Sequence, residues 1–183
     1  MTLSYTTLLY CWKKQIIRFK PDIEESQITE SSIDLRMGTQ ATELIGNPGI
    51  KIRPVLSRPE GIFVNKKIKD FLAIPPRELI LAFTMEKVTM PSNLCASVEG
   101  KSSLARFGLS VHITSPHIHP FFNANITLEL YNHSKNTIEI YPGDKICQLI
   151  VSETSEPVPE SMSSRGRYLN QKTPEPKLDK TSA

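Results

Sequence analysis

The alternation of apolar and polar residues predicts short β-strands along most of the chain. Every second residue is apolar in the runs 109–114 and 126–131. Alternate side chains of a strand lie on opposite faces, so Glu129 is expected to point away from the core together with Thr127. An antiparallel strand with one solvated face explains this pattern without any chemistry. From its local pattern alone, Glu129 is therefore expected to be a surface residue.

One segment near the N-terminus has the periodicity of a helix. Its apolar residues are spaced three and four apart, at Tyr5, Leu8, Leu9, Trp12 and Ile16. This spacing predicts one amphipathic helix from about residue 4 to about residue 18. Pro21 limits its continuation, because proline lacks the backbone donor that a helix needs.

Proline and glycine separate the remaining segments. Pairs such as Pro48-Gly49, Pro75-Pro76 and Pro142-Gly143 lie between short stretches with strand composition, which is typical of a sandwich or a barrel. We therefore predict a mainly β domain over residues 1–151, with a short N-terminal helix. Residues 152–183 are rich in proline and serine and are expected to form a mobile tail, of a kind that is usually inert but can close over a ligand.

Composition narrows the class of protein. The chain has 183 residues, of which 39% are hydrophobic, and this is enough for one core. A net charge of +3 is too small to indicate a nucleic-acid-binding protein. The three cysteines are widely spaced and form no CxxC pair, and no apolar run is long enough to span a membrane. We expect a cytoplasmic protein without a signal peptide that binds neither nucleic acid nor membrane.

The run 98–108 has the composition of an anion-binding turn. Gly100 is followed by a cation, Lys101, by the hydroxyls of Ser102 and Ser103, and by a second cation, Arg106. Backbone N–H groups, hydroxyls and positive charge together can bind phosphate oxygens. The spacing GxxxxGK[ST] is absent, which excludes a P-loop hydrolase. The alternative is a turn that only begins a short polar helix.

The histidines do not assemble a metal site in the sequence. The chain contains four of them, His112, His117, His119 and His133. His117 and His119 would share a strand face, as metal-binding pairs do. A cupin-like site needs a glutamate three or four residues later, whereas nine residues separate His119 from Glu129. The motif of the zinc deaminases is also absent, so no metal site is predicted.

Taken in order, the motifs resemble the dCTP deaminase family, which belongs to the trimeric dUTPase superfamily. The matching segments cover most of the chain, at residues 31–38, 84–91, 98–108, 111–114, 126–129, 141–143 and 167–171. The resemblance implies a homotrimer of distorted, jelly-roll-like β-barrels with active sites between subunits. It also implies hydrolytic deamination of dCTP to dUTP and ammonia, without zinc, with Mg²⁺ accompanying the triphosphate.

The resemblance also assigns roles to residues of this chain. Glu129 matches the catalytic glutamate, which takes a proton from water and passes it to the pyrimidine ring or the departing amine. Arg106 matches a neighbouring cation that keeps this carboxylate ionised, and Ser102 completes the catalytic set. The positions matching nucleotide-binding residues are Lys101, Ser102, Ser103, Arg106, His119, Thr127, Leu128, Glu129, Arg167 and Gln171.

Several positions depart from the family pattern. They are Lys101 for arginine, Ser115 for alanine, His119 for aspartate, Phe121 and Ala124 for glycine, Glu160 for tyrosine and Arg167 for lysine. The changes leave two alternatives open beside dCTP deamination. One is a non-catalytic nucleotide-binding relative, and the other is a relative acting on a modified cytosine nucleotide or on dUTP. Whether dUTP is cleaved further to dUMP, and whether dTTP regulates the protein, also stay open.

Overall fold

Strands make up most of the computed structural model, which describes residues 1–45, 63–164 and 172–174. The helices are α1 (Tyr5–Lys13) and α2 (Ser102–Ala105), and two 3₁₀ turns lie at Glu25–Gln27 and Glu160–Met162. The strands are β1 (Arg18–Lys20), β2 (Ile33–Leu44), β3 (Phe63–Lys67), β4 (Leu72–Ile74), β5 (Leu79–Thr89), β6 (Leu94–Gly100), β7 (Leu109–Ser110), β8 (His117–Ile118), β9 (Asn123–Asn132), β10 (Ile138–Ile140) and β11 (Lys145–Glu153). The prediction of a mainly β fold with a short N-terminal helix is confirmed.

Antiparallel pairing joins most of the strands of the described chain into one sheet. Its order is β7-β9-β5-β2-β11-β6-β8, with β1 added to β5 and β3 added to β2, while β4 and β10 form a separate pair. Register shifts interrupt β2–β5 between Met37 and Ala41, and β5–β9 between Phe83 and Lys87. Such irregularities bend a sheet. Gly38 permits the first, because a Cβ there would lie 2.7 Å from the carbonyl oxygen of Phe83.

The first helix ends earlier than its periodicity predicts. It stops at Lys13, and Gln15 adopts a left-handed φ of 56°. The backbone N–H groups of Ile16 and Ile17 both donate to the carbonyl oxygen of Cys11, which closes the helix. Ile16 is consequently exposed, so its predicted place on the buried helix face is wrong. The following residues pair with β5, and this sheet contact overrides the helical pattern.

Strand β9 has the predicted two-residue alternation over its whole length. Its even-numbered residues, from Ala124 to Asn132, are buried, and its odd-numbered residues are half-buried on the opposite face. The run 109–114 behaves differently. Leu109 and Val111 are buried, but Ile113 is 52% exposed, because β7 ends at Ser110. The predicted alternation is therefore wrong beyond Val111.

The predicted domain boundary falls inside the last strand. Strand β11 continues to Glu153, and the N–H groups of Thr154 and Val158 donate to the carbonyl oxygens of Asn93 and Ser92. The chain thus stays attached to the sheet until about residue 158. The mobility predicted for residues 152–183 stays a prediction. No helix in the described part of the chain is long and apolar enough to cross a membrane.

Candidate active site

A cavity of 620 Å³ lies on the outer face of the sheet, over β2, β5 and β9. Strand register places Thr42, Leu81 and Glu129 side by side in one row across these three strands. The apolar part of the wall includes Leu44, Phe63, Leu79, Leu81, Ile113 and Ile118. The polar part includes His112, Thr114, Ser115, His117, Thr127 and Glu129. The cavity therefore combines a broad apolar surface with one carboxylate.

Glu129 is held firmly in this cavity. Its backbone N–H donates to the carbonyl oxygen of Val111 over 2.9 Å, and its Oε2 accepts a hydrogen bond from the N–H of Ile113 over 2.8 Å. Within the described residues, Oε1 accepts no hydrogen bond from the protein. The carboxylate is thus oriented by one oxygen and keeps the other for a water molecule or a ligand. Glu129 is half-buried and faces away from the core, as its alternation predicts, and it lines the cavity.

The segment after β7 is what turns the outer face of β9 into a cavity. Because Ile113 leaves the strand alternation, its N–H reaches the carboxylate of Glu129 instead of a neighbouring strand. Its side chain then lines the cavity together with Thr114 and Ser115. Local alternation gave no signal for this donor, since it predicted an unbroken strand through residue 114.

Two histidines that carried no assigned role also line the cavity. His112 Nε2 lies 3.8 Å from Glu99 Oε2, and His112 Nδ1 is buried without a hydrogen-bond partner among the described residues. Partial burial lowers the pKa of His117, and the nearby charge of His119 lowers it further. The rings of His117 and His119 meet edge-on, with centroids 4.5 Å apart. His119 is exposed and does not itself line the cavity of its own chain.

The cationic turn predicted to bind phosphate lies elsewhere on the surface. Its backbone forms one helical turn, in which the N–H groups of Leu104 and Ala105 donate to the carbonyl oxygen of Lys101. Ser102, Ser103 and Arg106 are exposed, and none of them lines the cavity. The side chain of Arg106 makes no ion pair or hydrogen bond with the described residues.

One chain therefore brings together only part of the predicted site. Thr127 and Glu129 face the cavity side by side on β9, whereas the side chain of Leu128 points into the core and is fully buried. Only the backbone of Leu128 can border a ligand there. The described wall of the cavity contains no lysine or arginine, so in the part of the chain that the structure describes the Glu129 carboxylate is separate from Lys101 and Arg106.

Among the described residues of the tail, one contributes to the cavity. Pro174 is buried and lines the cavity, on a described fragment of only three residues, 172–174. Arg167 and Gln171, predicted to contact the nucleotide, lie outside the described residues. Glu160 is exposed at the start of the second 3₁₀ turn and is not part of the cavity wall.

The loop into β9 keeps a backbone that glycine would adopt more easily. Phe121 has a φ of 63°, in the left-handed region that costs a residue with a side chain about 1 kcal/mol or more. The N–H of Phe122 donates to the carbonyl oxygen of His119, and the N–H of Met90 donates to that of Phe122. These bonds compensate for the strain. Ala124 is buried in β9 opposite Val88.

The side chains of the described residues offer no metal centre. No group of three or more histidine, cysteine, aspartate or glutamate residues is placed to hold an ion in residues 1–45, 63–164 and 172–174. All three cysteines are free thiols. Burial raises the pKa of the Cys147 thiol well above its usual range, so this group stays protonated inside the core.

Comparisons with known proteins agree on one family. The model of a family described as dCTP deaminase-like matches residues 2–154. A protein of Methanosphaera stadtmanae, dCTP deaminase, dUMP-forming, is 36% identical over 163 residues, which cover 85% of this chain and 82% of that protein. A protein of the same name from Persephonella marina is 37% identical over 152 residues and 82% of each chain.

A solved structure shares the fold. The crystal structure of 2'-deoxycytidine 5'-triphosphate deaminase from Agrobacterium tumefaciens superposes with a TM-score of 0.66 at 16% identity. The match covers 87% of this chain and 50% of the Agrobacterium protein, so this chain spans half the length of that relative. At this identity the likeness shows the fold alone, and it confirms the predicted fold class.

Proposed function

The chain belongs to the dCTP deaminase-like family, and on this premise we propose that it removes the amino group of dCTP by hydrolysis. The resemblance predicted from the sequence is confirmed by the family match over residues 2–154 and by relatives more than 30% identical over most of the chain. The observation that carries the proposal is the Glu129 carboxylate, oriented by the N–H of Ile113 in a largely apolar cavity.

In the proposed reaction Glu129 acts as the general base and then as the acid. Its free oxygen takes a proton from a bound water, whose oxygen adds to C4 of the cytosine ring. The carboxylic acid returns that proton to the ring nitrogen, and the carboxylate then carries the proton of the new C4 hydroxyl to the amine. The C4–N bond breaks as the C4=O bond forms, which releases ammonia. One carboxylate can perform all of these transfers, so the proposed mechanism needs no zinc.

The apolar wall fits the base better than the phosphates. Leu81 and Ile113 lie beside Glu129, and such side chains favour a flat pyrimidine ring and exclude bulk water. The hydroxyls of Thr114 and Ser115 add polar groups at the edge of the cavity. The triphosphate, in contrast, needs cations, and the described wall of the cavity contains no lysine or arginine.

We propose that a second copy of the chain supplies those cations. Lys101, Ser102, Ser103 and Arg106 form an exposed turn that stands apart from the cavity of its own chain. In a cyclic homotrimer each cavity can meet the turn of the next subunit, since a heterologous contact closes into a ring. Arg106 would then lie near Glu129 and keep it ionised. Arg167 and Gln171 would close over the nucleotide from the tail.

Magnesium enters this proposal as part of the substrate, Mg·dCTP. The ion neutralises part of the phosphate charge, and the cations of the turn neutralise the rest. A cytoplasmic location belongs to the same proposal, because the substrate is a nucleotide precursor.

The product is proposed to be dUTP, with dUMP as the second candidate. The names of the Methanosphaera and Persephonella relatives state that those proteins form dUMP, which favours cleavage of dUTP to dUMP and pyrophosphate at the same site. Separation of the nucleotides after complete conversion of dCTP distinguishes the two. A dUTP peak that persists supports simple deamination, whereas dUMP with one pyrophosphate per ammonia supports the second candidate.

The decisive test is ammonia release from dCTP by the purified protein with Mg²⁺. The expected result is one ammonia per dCTP consumed. Tight binding of dCTP without turnover would favour a non-catalytic relative. Pyrophosphate release from added dUTP, or turnover only of a modified cytosine nucleotide, would favour a relative with another substrate.

A further inference from the structure

A buried carboxylate lies behind the cationic turn. The side chain of Asp34 on β2 is 6% exposed and sits between two fully buried residues, Ile33 and Leu35. A carboxylate in such surroundings is destabilising unless charges or hydrogen bonds compensate for the lost water. Two ammonium groups do so. Lys101 Nζ lies 2.5 Å from Oδ1, and Lys145 Nζ lies 3.4 Å from Oδ2.

The cluster of Asp34, Lys101 and Lys145 joins three separate elements. Lys101 immediately precedes α2, while Lys145 begins β11 and also donates to the carbonyl oxygen of Ser26 over 2.8 Å. The formal charges are two positive and one negative, so the cluster keeps one net positive charge beside the turn. Without Asp34 the two ammonium groups would repel each other and turn towards water.

A hydrogen bond from Gln148 on β11 holds the backbone just before Lys101. Gln148 lies opposite Asp34 in the register of β11 and β2. Its Nε2 donates to the carbonyl oxygen of Gly100 over 3.1 Å, and its Oε1 accepts from Ser32 Oγ over 3.0 Å. The main chain and the side chain at the start of the turn are therefore both anchored.

Anchoring changes what a lysine can contribute to binding. Its four-carbon side chain loses much rotamer freedom when it binds an anion. A partner that restricts the side chain beforehand reduces that loss at the moment of binding. An ammonium has three N–H donors, so Lys101 can bind Asp34 and still donate to phosphate oxygens.

We propose that Asp34 is a positioning residue, which holds the ammonium of Lys101 at the start of the α2 turn in the orientation that meets the substrate's phosphate chain. This inference rests on the proposed function. Asp34 acts through Lys101 and does not touch the substrate.

The test compares steady-state kinetics with Mg·dCTP for the wild type, Asp34→Asn, Lys101→Met and the double variant. Asp34→Asn should raise KM about tenfold and change kcat less than about threefold, because Glu129 carries the proton transfer. Lys101→Met should likewise raise KM about tenfold and change kcat less than about threefold. The double variant should be no worse than Lys101→Met, since two residues acting through one contact are not additive.

Lys145→Met is the matched control. It removes the other cation of Asp34 but leaves the Asp34–Lys101 pair, so KM should rise less than about threefold. An unchanged KM in Asp34→Asn, or fully additive effects in the double variant, would overturn the proposal. A lower KM would overturn it as well, because it would mean that the carboxylate holds Lys101 away from the substrate.

Asp34→Glu covers the case in which Asp34→Asn does not fold. It keeps the charge and displaces it by one methylene group, so KM should rise while kcat holds. A folded Asp34→Glu with the KM of the wild type would contradict the positioning role.

Calorimetric binding of inorganic tripolyphosphate separates this inference from the proposed function, because it requires no turnover. Asp34→Asn should bind about tenfold more weakly than the wild type, a loss typical of one charged contact. A wild type that binds tripolyphosphate but releases no ammonia from dCTP would contradict the proposed function alone. Equal affinities of the two proteins, or a wild type that releases ammonia from dCTP but does not bind tripolyphosphate, would contradict the positioning role alone.

Discussion

The cavity around Glu129 and the turn 101–106 are built on opposite principles. In the cavity, the carboxylate lies in the middle of a ten-residue strand and accepts a backbone hydrogen bond from Ile113. In the turn, Ser102, Ser103 and Arg106 are exposed on a helix of four residues. The sheet therefore orients the proposed base within one chain. The groups proposed to bind the phosphates lie at the surface, where a second chain can meet them.

The cavity and the turn also differ in charge. The described cavity wall has a carboxylate but no lysine or arginine, and the turn has two cations but no carboxylate other than Asp34 behind it. Proton transfer benefits from a pocket that limits the access of water, whereas phosphate binding needs charges and hydrogen-bond donors that a surface turn can present. Four predictions follow, from the largest expected effect to the smallest.

Removing the base should have the largest effect. Glu129→Gln keeps the shape and the acceptor for the N–H of Ile113 but abolishes basicity, so ammonia release from dCTP should fall by at least ~10²-fold. The affinity for dCTP should hold, because the phosphates are bound elsewhere. Glu139→Gln, at an exposed position of β10, is the control and should leave the rate unchanged. Turnover retained in Glu129→Gln would exclude Glu129 as the base.

Mixing two inactive variants tests whether the Glu129 and the Arg106 of one active site come from different chains. Glu129→Gln and Arg106→Met should each be nearly inactive as homotrimers. If each site uses Glu129 of one subunit and Arg106 of the next, an equal mixture refolded together should regain about one quarter of the wild-type rate, the fraction of sites with both residues intact. No recovery in mixed trimers, identified by mass spectrometry, would place both residues in one chain's site.

A smaller effect is expected in the loop that leads into β9, and it tests how rigid the backbone beside the cavity is. Phe121 has a positive φ. Phe121→Gly and Phe121→Ala both remove the phenyl ring, but only glycine, which lacks a Cβ, adopts this conformation without strain. The free energy of unfolding of the glycine variant should therefore be about 1 kcal/mol higher than that of the alanine variant. Equal stabilities in urea titrations would mean that the loop relaxes when the ring is removed.

Acid should lower the stability of the folded protein slightly, because it protonates His117. The pKa of His117 is lowered by partial burial and by His119, so the folded protein binds this proton less tightly than the unfolded chain, whose value is about 6.5. Stability contributed by neutral His117 is present above pH 6.5 and is lost as the pH falls through the lower folded pKa. The Tm should therefore drop less between pH 7 and 5 in His117→Gln than in the wild type, and an identical drop would contradict this assignment.

Local sequence determined which kind of element each segment forms and which face its side chains take. Ala124 to Asn132 alternates with a period of two, so the sequence alone placed Thr127 and Glu129 on one face and Leu128 in the core. It also located the cationic turn. The family motifs identified the chemistry, since they recur here in the same order.

The tertiary structure decided which of these groups meet. Nothing local indicates that Ile113 leaves its strand to bind Glu129, that Lys101 turns to Asp34, or that His117 rather than His119 lines the cavity. These contacts join residues up to 67 positions apart, and their geometry depends on strand order and on the register shifts in β5. A short-range pattern carries no information on long-range register, because the same alternation fits any neighbouring strand.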